Sequence, residues 1–251
     1  MRRIRLLTIV INVALPLVIF MEACMKPHLV GFGSGQYLSV SGDGAADSET
    51  EALIKPYRDS LNTVMQEVLC YSEAPALREL PEGSLGNLIT DLLRNEGFRQ
   101  SKIPVDICFM NQGGLRIDWP KGAITRSMVF EVMPFENKLQ LVEMDSLQLE
   151  GLLSLIAQRG GAPVSGVKML IKDGKLQHWE VPYAKNKKTF TLLTTDYLLN
   201  GGDSYKISFG NTLWNGPKVR DAIEQGIKLV RTAGETLKPQ KDGRIELYKS
   251  P

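Results

Sequence analysis

Apolar residues recur at helical spacing from Leu53 onward. Leu53, Ile54, Tyr57, Leu61, Val64, Met65 and Val68 fall on one face, which predicts a long amphipathic helix. Ser48 with Glu51 three residues on reads as its capping box. Pro56 inside the pattern is expected to kink the helix or to mark where its regular part begins. A second helix opens near Ser84, with Leu85, Leu88, Ile89, Leu92 and Leu93 on one side and Gly97 as its stop. The run from Val105 to Met110 reads as a buried strand, and Thr125 caps a short helix through Val132. Residues 138–144 alternate apolar and polar with period two, as a half-buried strand should. Asp145 caps the next helix, whose apolar face is Leu149, Leu152, Leu153 and Ile156, and Gly160, Gly161 and Pro163 end it. Residues 167–171 and 176–181 flank Lys172-Asp173-Gly174-Lys175, where Asp-Gly signals a hairpin. A strand over 189–194 follows, then a helix from Pro217 to about Arg231, then a last strand over 243–248. Strands and helices intermix without strict alternation. The predicted class is α+β: a single domain around a mixed sheet with packed helices.

The start of the chain has a different pattern. Arg2, Arg3 and Arg5 precede an apolar run from Leu6 to Phe20, broken only by Asn12 and Pro16. This fits a secretory signal better than a membrane span, which needs about 20 apolar residues. Ala23-Cys24 resembles the bacterial lipobox, with Met21 at its start and Glu22 where a small residue is usual. Cys24 is therefore expected to be acylated and to begin a membrane-anchored, exported lipoprotein in the periplasm or at the cell surface. The other reading is an uncleaved anchor with an incidental cysteine. From Gly31 to Asp47 the chain is rich in Gly, Ser and Asp, as a flexible tether is. The resulting division is a signal over 1–23, a tether over 24–47 and a domain over 48–251, long enough for one buried core.

Charge and rare residues exclude several functions. The formal net charge is +2, and beyond the signal the only basic cluster is Lys185-Asn186-Lys187-Lys188, so no nucleic-acid partner is indicated. Cys70 and Cys108 are the other cysteines. An exported chain can pair them, but Cys108 between Ile107 and Phe109 reads as a small core residue. The two histidines, His28 and His178, form no cluster with the cysteines. No metal site, cofactor or catalytic residue is expected in this chain.

Two loops carry the candidate chemistry. Asn111-Gln112-Gly113-Gly114-Leu115-Arg116 follows the strand at 105–110, and Asn200-Gly201-Gly202-Asp203 follows the strand at 189–194. Paired glycines let the main chain approach a ligand closely, and a guanidinium is a planar fork suited to phosphate or carboxylate. One loop ends in a cation and the other in a carboxylate, as two poles of one site would. The same residues would also serve as two tight turns with solvated charges.

Read together, several elements resemble the C-terminal domain of the 5′-nucleotidase and UDP-sugar hydrolase family. They are Leu85-Gly86-Asn87-Leu88 with Asp91, the loop from Asn111 to Arg116, Pro134-Phe135-Glu136-Asn137, Ser165-Gly166, and the run from Thr195 to Asp203. The family's Asn-Gly-Gly-Gly-Ile-Arg stands here with Gln112 and Leu115. In that family this domain binds substrate, while a separate N-terminal domain holds two metal ions and hydrolyses the ester. The resemblance implies that Phe135 and Tyr197 sandwich a nucleobase and that Asp203 binds the ribose hydroxyls. It further implies that Asn111 meets the base and Arg116 the phosphate, with Gly113, Gly114 and Gly202 lining the site. Ordinary core packing is the other reading of the two aromatics. A further Arg commonly precedes the Gly-Asn-Leu helix in the family, and Arg78 is its candidate here. With two histidines, this chain looks like half of an enzyme. The expected function is the nucleotide- or nucleoside-binding half of a split 5′-nucleotidase, working with a separate metallophosphatase chain that holds the divalent metal pair. The alternative is a lipoprotein that captures nucleosides or nucleotides without hydrolysis.

Overall fold

The computed structural model describes residues 47–184 and 187–248. The signal, the lipidation site at Cys24 and the tether up to residue 46 lie outside the described residues. The architecture that follows is essentially that of the unit beginning at Glu51.

Helix α1 spans Ser48–Met65 and runs through Pro56 as one helix. Its first turn is closed by Asp47, whose carboxylate accepts from the Thr50 amide at 3.1 Å, while Glu51 pairs with Arg58 instead of forming the expected capping box. None of its residues is buried. The amphipathic face exists as predicted, but no described element covers it. Strand β1 (Val68–Ser72) follows and pairs with β3 (Gly122–Thr125). Neither strand was legible in the sequence, where Val68 extended the helical pattern.

Helix α2 (Ser84–Ser101) passes straight through Gly97. That glycine is a packing residue and not a stop: a Cβ there would stand 2.7 Å from Leu193 Cδ2, so only glycine lets the helix lie against the sheet. Strand β2 (Ile107–Phe109) is shorter than expected. Then come α3 (Arg126–Val132), β4 (Lys138–Asp145) and α4 (Ser146–Gln158). Asp145 caps α4 in a capping box with Gln148. β5 (Val164–Ser165) precedes the hairpin of β6 (Lys168–Lys172) and β7 (Lys175–Glu180), turned at Asp173-Gly174. β8 (Thr189–Thr195), α5 (Asp196–Leu199), β9 (Thr212–Lys218), α6 (Val219–Thr232) and β10 (Ile245–Tyr248) complete the described chain. Pro217 does not open the last helix. It is the penultimate residue of β9, an edge strand, where a missing N–H can be tolerated.

The central sheet has the order β5-β2-β8-β4-β9. β2 runs parallel to β8, and β4 is antiparallel to β8. Alternate residues face opposite ways: Cys108, Leu139, Leu141 and Leu193 enter one core with α2 and α6, while Ile107, Phe109, Met144 and Leu192 enter a second with α4 and the small sheet of β10, β6 and β7. The sheet is thus covered on both faces, as its near-continuous apolar strands require. Cys70 and Cys108 are buried and unpaired, and burial drives the Cys108 thiol far up from its ordinary range.

Two glycines separate backbone conformation from packing. Gly160 and Gly166 share almost the same left-handed φ, +80° and +82°. A Cβ at Gly160 meets nothing within 4 Å, whereas one at Gly166 collides with the Asp106 carbonyl oxygen. Gly160→Ala is expected to cost about 1 kcal/mol in urea unfolding, the ordinary cost of a left-handed alanine. Gly166→Ala should cost at least about 2 kcal/mol more; equal losses would show that the collision relaxes freely.

Candidate functional site

The sheet brings three loops to one edge. Because β2 and β8 are parallel, with Cys108 opposite Leu193, the segments that leave their C-terminal ends emerge side by side. β4 enters the sheet at that same edge, with Leu139 opposite Thr195, so the turn before it stands beside them. The three segments are the Asn111 loop, the run from Tyr197 to Asp203, and the Phe135 turn. They enclose a hollow of about 300 Å³ lined by Asn111, Gly113, Gly114, Arg116, Phe135, Asn137, Tyr197 and Asp203. The structure therefore brings together the residues singled out in the sequence. Gly202 lies just behind, directly beneath the Tyr197 ring, where any Cβ would overlap the ring. Asn137 was not singled out, although it sits two residues past Phe135 in a motif that was.

Each loop is built to hold its side chains. The Asn111 loop closes as a single 3-10 turn over Gln112–Gly114, with Gly114 N–H donating to Asn111 O at 3.1 Å. A Cβ on Gly114 would come within 2.8 Å of Asn111 Oδ1, so this glycine makes room for the buried Asn111 side chain. Asn111 Nδ2 donates to Asp203 Oδ2 at 2.5 Å. Tyr197 Oη donates to Asp203 Oδ1 at 2.7 Å and accepts from the Asp203 N–H at 3.0 Å. Asp203 needs these partners: its φ of +50° lies in the left-handed region, which costs a non-glycine residue about 1 kcal/mol or more. Asn111 thus spends its amide on Asp203, whereas the Asn137 side chain makes no hydrogen bond to a described residue.

The cation of the hollow is Arg116. Arg116 is exposed, donates to Gly113 O at 3.2 Å, and lays its guanidinium over the Phe135 ring with Cζ 5.3 Å from the centroid. Its backbone N–H donates to Val132 O at 2.9 Å, which ties it to the end of α3. Arg78 does not line the hollow. It bonds the Asp118 carboxylate and the Leu115 carbonyl and so braces the Arg116 loop from behind. Tyr197, 40% exposed, offers its outer ring face to solvent.

The Phe135 turn is pinned by its neighbour. Glu136 pairs with Lys218 and with Arg220, whose Nη2 lies 2.5 Å away. Lys218, then Arg220, pulls the Glu136 carboxyl down from its ordinary 4.5 to about 2. Arg220 also stacks on Phe130 at 4.1 Å, and its Nε meets no partner among the described residues. A carboxylate held low stabilises the fold fully above its ordinary value, and that contribution disappears as pH falls through the lowered one. Glu136→Gln should therefore melt below wild type at neutral pH, and the gap should close between about pH 4.5 and pH 2. A gap independent of pH would mean that the pair does not stabilise the turn.

A family model described as "5'-nucleotidase, C-terminal domain" matches residues 68–209. Among curated proteins, the chain is 24% identical over 183 residues to an apyrase of Tabanus yao, covering 61% of this chain and 33% of that one. It is 27% identical over 107 residues to a 5'-nucleotidase of Vibrio cholerae, covering 40% of this chain and 19% of that one. Among solved structures, it superposes on a 5'-nucleotidase precursor from Thermus thermophilus with a TM-score of 0.65 and 24% identity, covering 80% of this chain and 43% of that one. The corresponding values for the NAD nucleotidase of Haemophilus influenzae are 0.56 and 18%, covering 82% and 42%. At these identities the structural likeness is one of fold. The chain spans less than half the length of each of these relatives. The family match extends over more than half of the chain, and the chain belongs to the 5′-nucleotidase C-terminal domain family.

Proposed function

We propose that this chain is the nucleotide- or nucleoside-binding half of a split 5′-nucleotidase. The observation that carries this reading is the hollow itself. Phe135 and Tyr197 give it aromatic walls, Arg116 a cationic end, and Asp203 an anchored carboxylate. A base stacks on aromatic faces whatever its identity, worth about 1–3 kcal/mol. A carboxylate suits the ribose hydroxyls, and a guanidinium suits a phosphate. We assign a polar base edge to the Asn137 amide, which lines the hollow, and the holding of Asp203 to Asn111.

A two-metal centre does not fit the described residues. Asp203 is engaged by Asn111 and Tyr197, and Asp91 by Ser165 and Arg244. No group of three or more His, Cys, Asp or Glu that could hold a metal ion stands among the described residues. We assign the metal pair and the attacking hydroxide to a separate metallophosphatase chain, since orientation of the ester lowers the barrier only when a nucleophile is supplied. The basic head, apolar run and Ala23-Cys24 support a location outside the cytoplasm, with an anchor through an acylated Cys24. An acylated cysteine should appear as the N-terminus of the native chain by mass analysis; a mature chain beginning elsewhere would refute the anchor.

Calorimetric titration of the purified chain with adenosine and 5′-AMP tests the assignments. Tyr197→Ala should weaken both ligands about tenfold or more, from the loss of one stacking face. Arg116→Ala should weaken 5′-AMP by a similar factor while sparing adenosine, because only the monophosphate carries the group it meets. Equal losses on the two ligands would remove Arg116 from the phosphate end. Tight capture of adenosine, with no gain when a metallophosphatase is added, would favour a capture lipoprotein instead.

A further inference from the structure

Tyr197 acts on the hollow in two ways, and its ring accounts for only one of them. The phenol oxygen donates to Asp203 Oδ1 at 2.7 Å and accepts from the Asp203 N–H at 3.0 Å. One hydroxyl thus grips both the side chain and the backbone of the residue six positions on. Beneath the ring lies Gly202, where a Cβ would come within 2.5 Å of Tyr197 Cζ. The glycine lets the ring settle on the main chain, at the depth where its hydroxyl reaches Asp203.

The backbone at this point is held against its own preference. Asp203 and Ser204 stand at φ +50° and +59°, two consecutive left-handed residues that are not glycine. Such a conformation persists only where the surroundings enforce it. Here the enforcing contacts are the Tyr197 hydroxyl on the Asp203 N–H and the turn bonds from Ser204 N–H to Gly201 O and from Tyr205 N–H to Gly202 O. The result of that constraint is a carboxylate aimed into the hollow.

What the carboxylate has left decides what it can read. Asn111 Nδ2 takes Oδ2 and the Tyr197 hydroxyl takes Oδ1. A carboxylate oxygen has two acceptor positions, so each Asp203 oxygen keeps one. Two open acceptors on one fixed group match two neighbouring hydroxyl donors, the vicinal diol of a ribose. A carboxylate free to rotate would offer the same atoms without the alignment and would have to be ordered on binding.

We infer that Tyr197, through its hydroxyl, is the positioning residue for sugar selectivity: by fixing the Asp203 carboxylate it makes the site prefer a vicinal diol to a deoxygenated sugar. This rests on the nucleoside-binding reading above and on no step of hydrolysis. Calorimetric titration of the full chain with adenosine and with 2′,3′-dideoxyadenosine tests it as a ratio of affinities. Wild type should favour adenosine at least about tenfold, since a site built for hydroxyls rejects the analogue that lacks them. Tyr197→Phe keeps the ring and should cut that ratio at least about threefold. In an Asp203→Asn chain, adding Tyr197→Phe should change the ratio less than about twofold, because the hydroxyl acts only through the carboxylate. A loss of stability affects both ligands alike and leaves the ratio readable. An undiminished ratio in Tyr197→Phe, with both affinities lowered together or neither lowered, overturns the inference. So does a further fall in the Asp203→Asn background. Wild type that binds the two nucleosides equally also overturns it, while leaving the nucleoside-binding reading in place. Wild type that binds neither nucleoside nor 5′-AMP strikes that reading, and the inference with it.

Discussion

The pairing of β2 with β8 is the constraint on which the site depends. These two parallel strands lie at the centre of the sheet, and the loops that leave their C-terminal ends carry Arg116 and Asp203. Parallel neighbours must discharge their loops at the same edge, which is why ligands gather there in open mixed sheets. β4 joins antiparallel and adds the Phe135 turn at that edge. A slip of one residue in any of these pairings would turn the core side chains to the wrong face. The burial that sets the register therefore also sets the site.

On this frame, polar contacts fix what packing cannot. Asp203 stands in a left-handed conformation with its carboxylate shared between Tyr197 and Asn111, so a strained residue is held from two different loops. Phe135 is fixed from behind, through Glu136 and the two cations Lys218 and Arg220. At Phe135 the side chain that lines the hollow is separate from the groups that position it, whereas at Asp203 the positioning groups, Asn111 and Tyr197, line the hollow themselves. That is how an open hollow stays pre-organised without a ligand, and it lowers the ordering cost of binding.

The domain's surface is uneven. Around the sheet, apolar side chains are buried on both faces. On α1 they are not. An isolated helix of this length is marginal in water, and this one is supported by an Asp47 cap, two internal ion pairs and its anchorage through Arg126. A helix stabilised by its own polar contacts can keep its apolar stripe exposed.

Local patterns determined much by themselves. The period-two alternation of 138–144, the Asp-Gly hairpin and the Asp145 cap specify their elements through contacts only a few residues long. The glycine pairs and the Phe135 and Tyr197 motifs named residues that the fold brings to one hollow, because each loop's chemistry is written within it. What needed tertiary structure was whatever depends on distant partners. β1 and β3 exist only by pairing with each other across some fifty residues. Residue 97 is a glycine within a helix because Leu193 presses on it, and Pro217 lies in an edge strand because β4 lies beside it. Asn137 became visible only when the turn was seen to face the hollow, and Asn111 proved to hold Asp203 across the gap between two strands. The sequence pattern showed an amphipathic α1, but a pattern records only that a face is apolar. Whether anything covers that face is decided by where the rest of the chain goes.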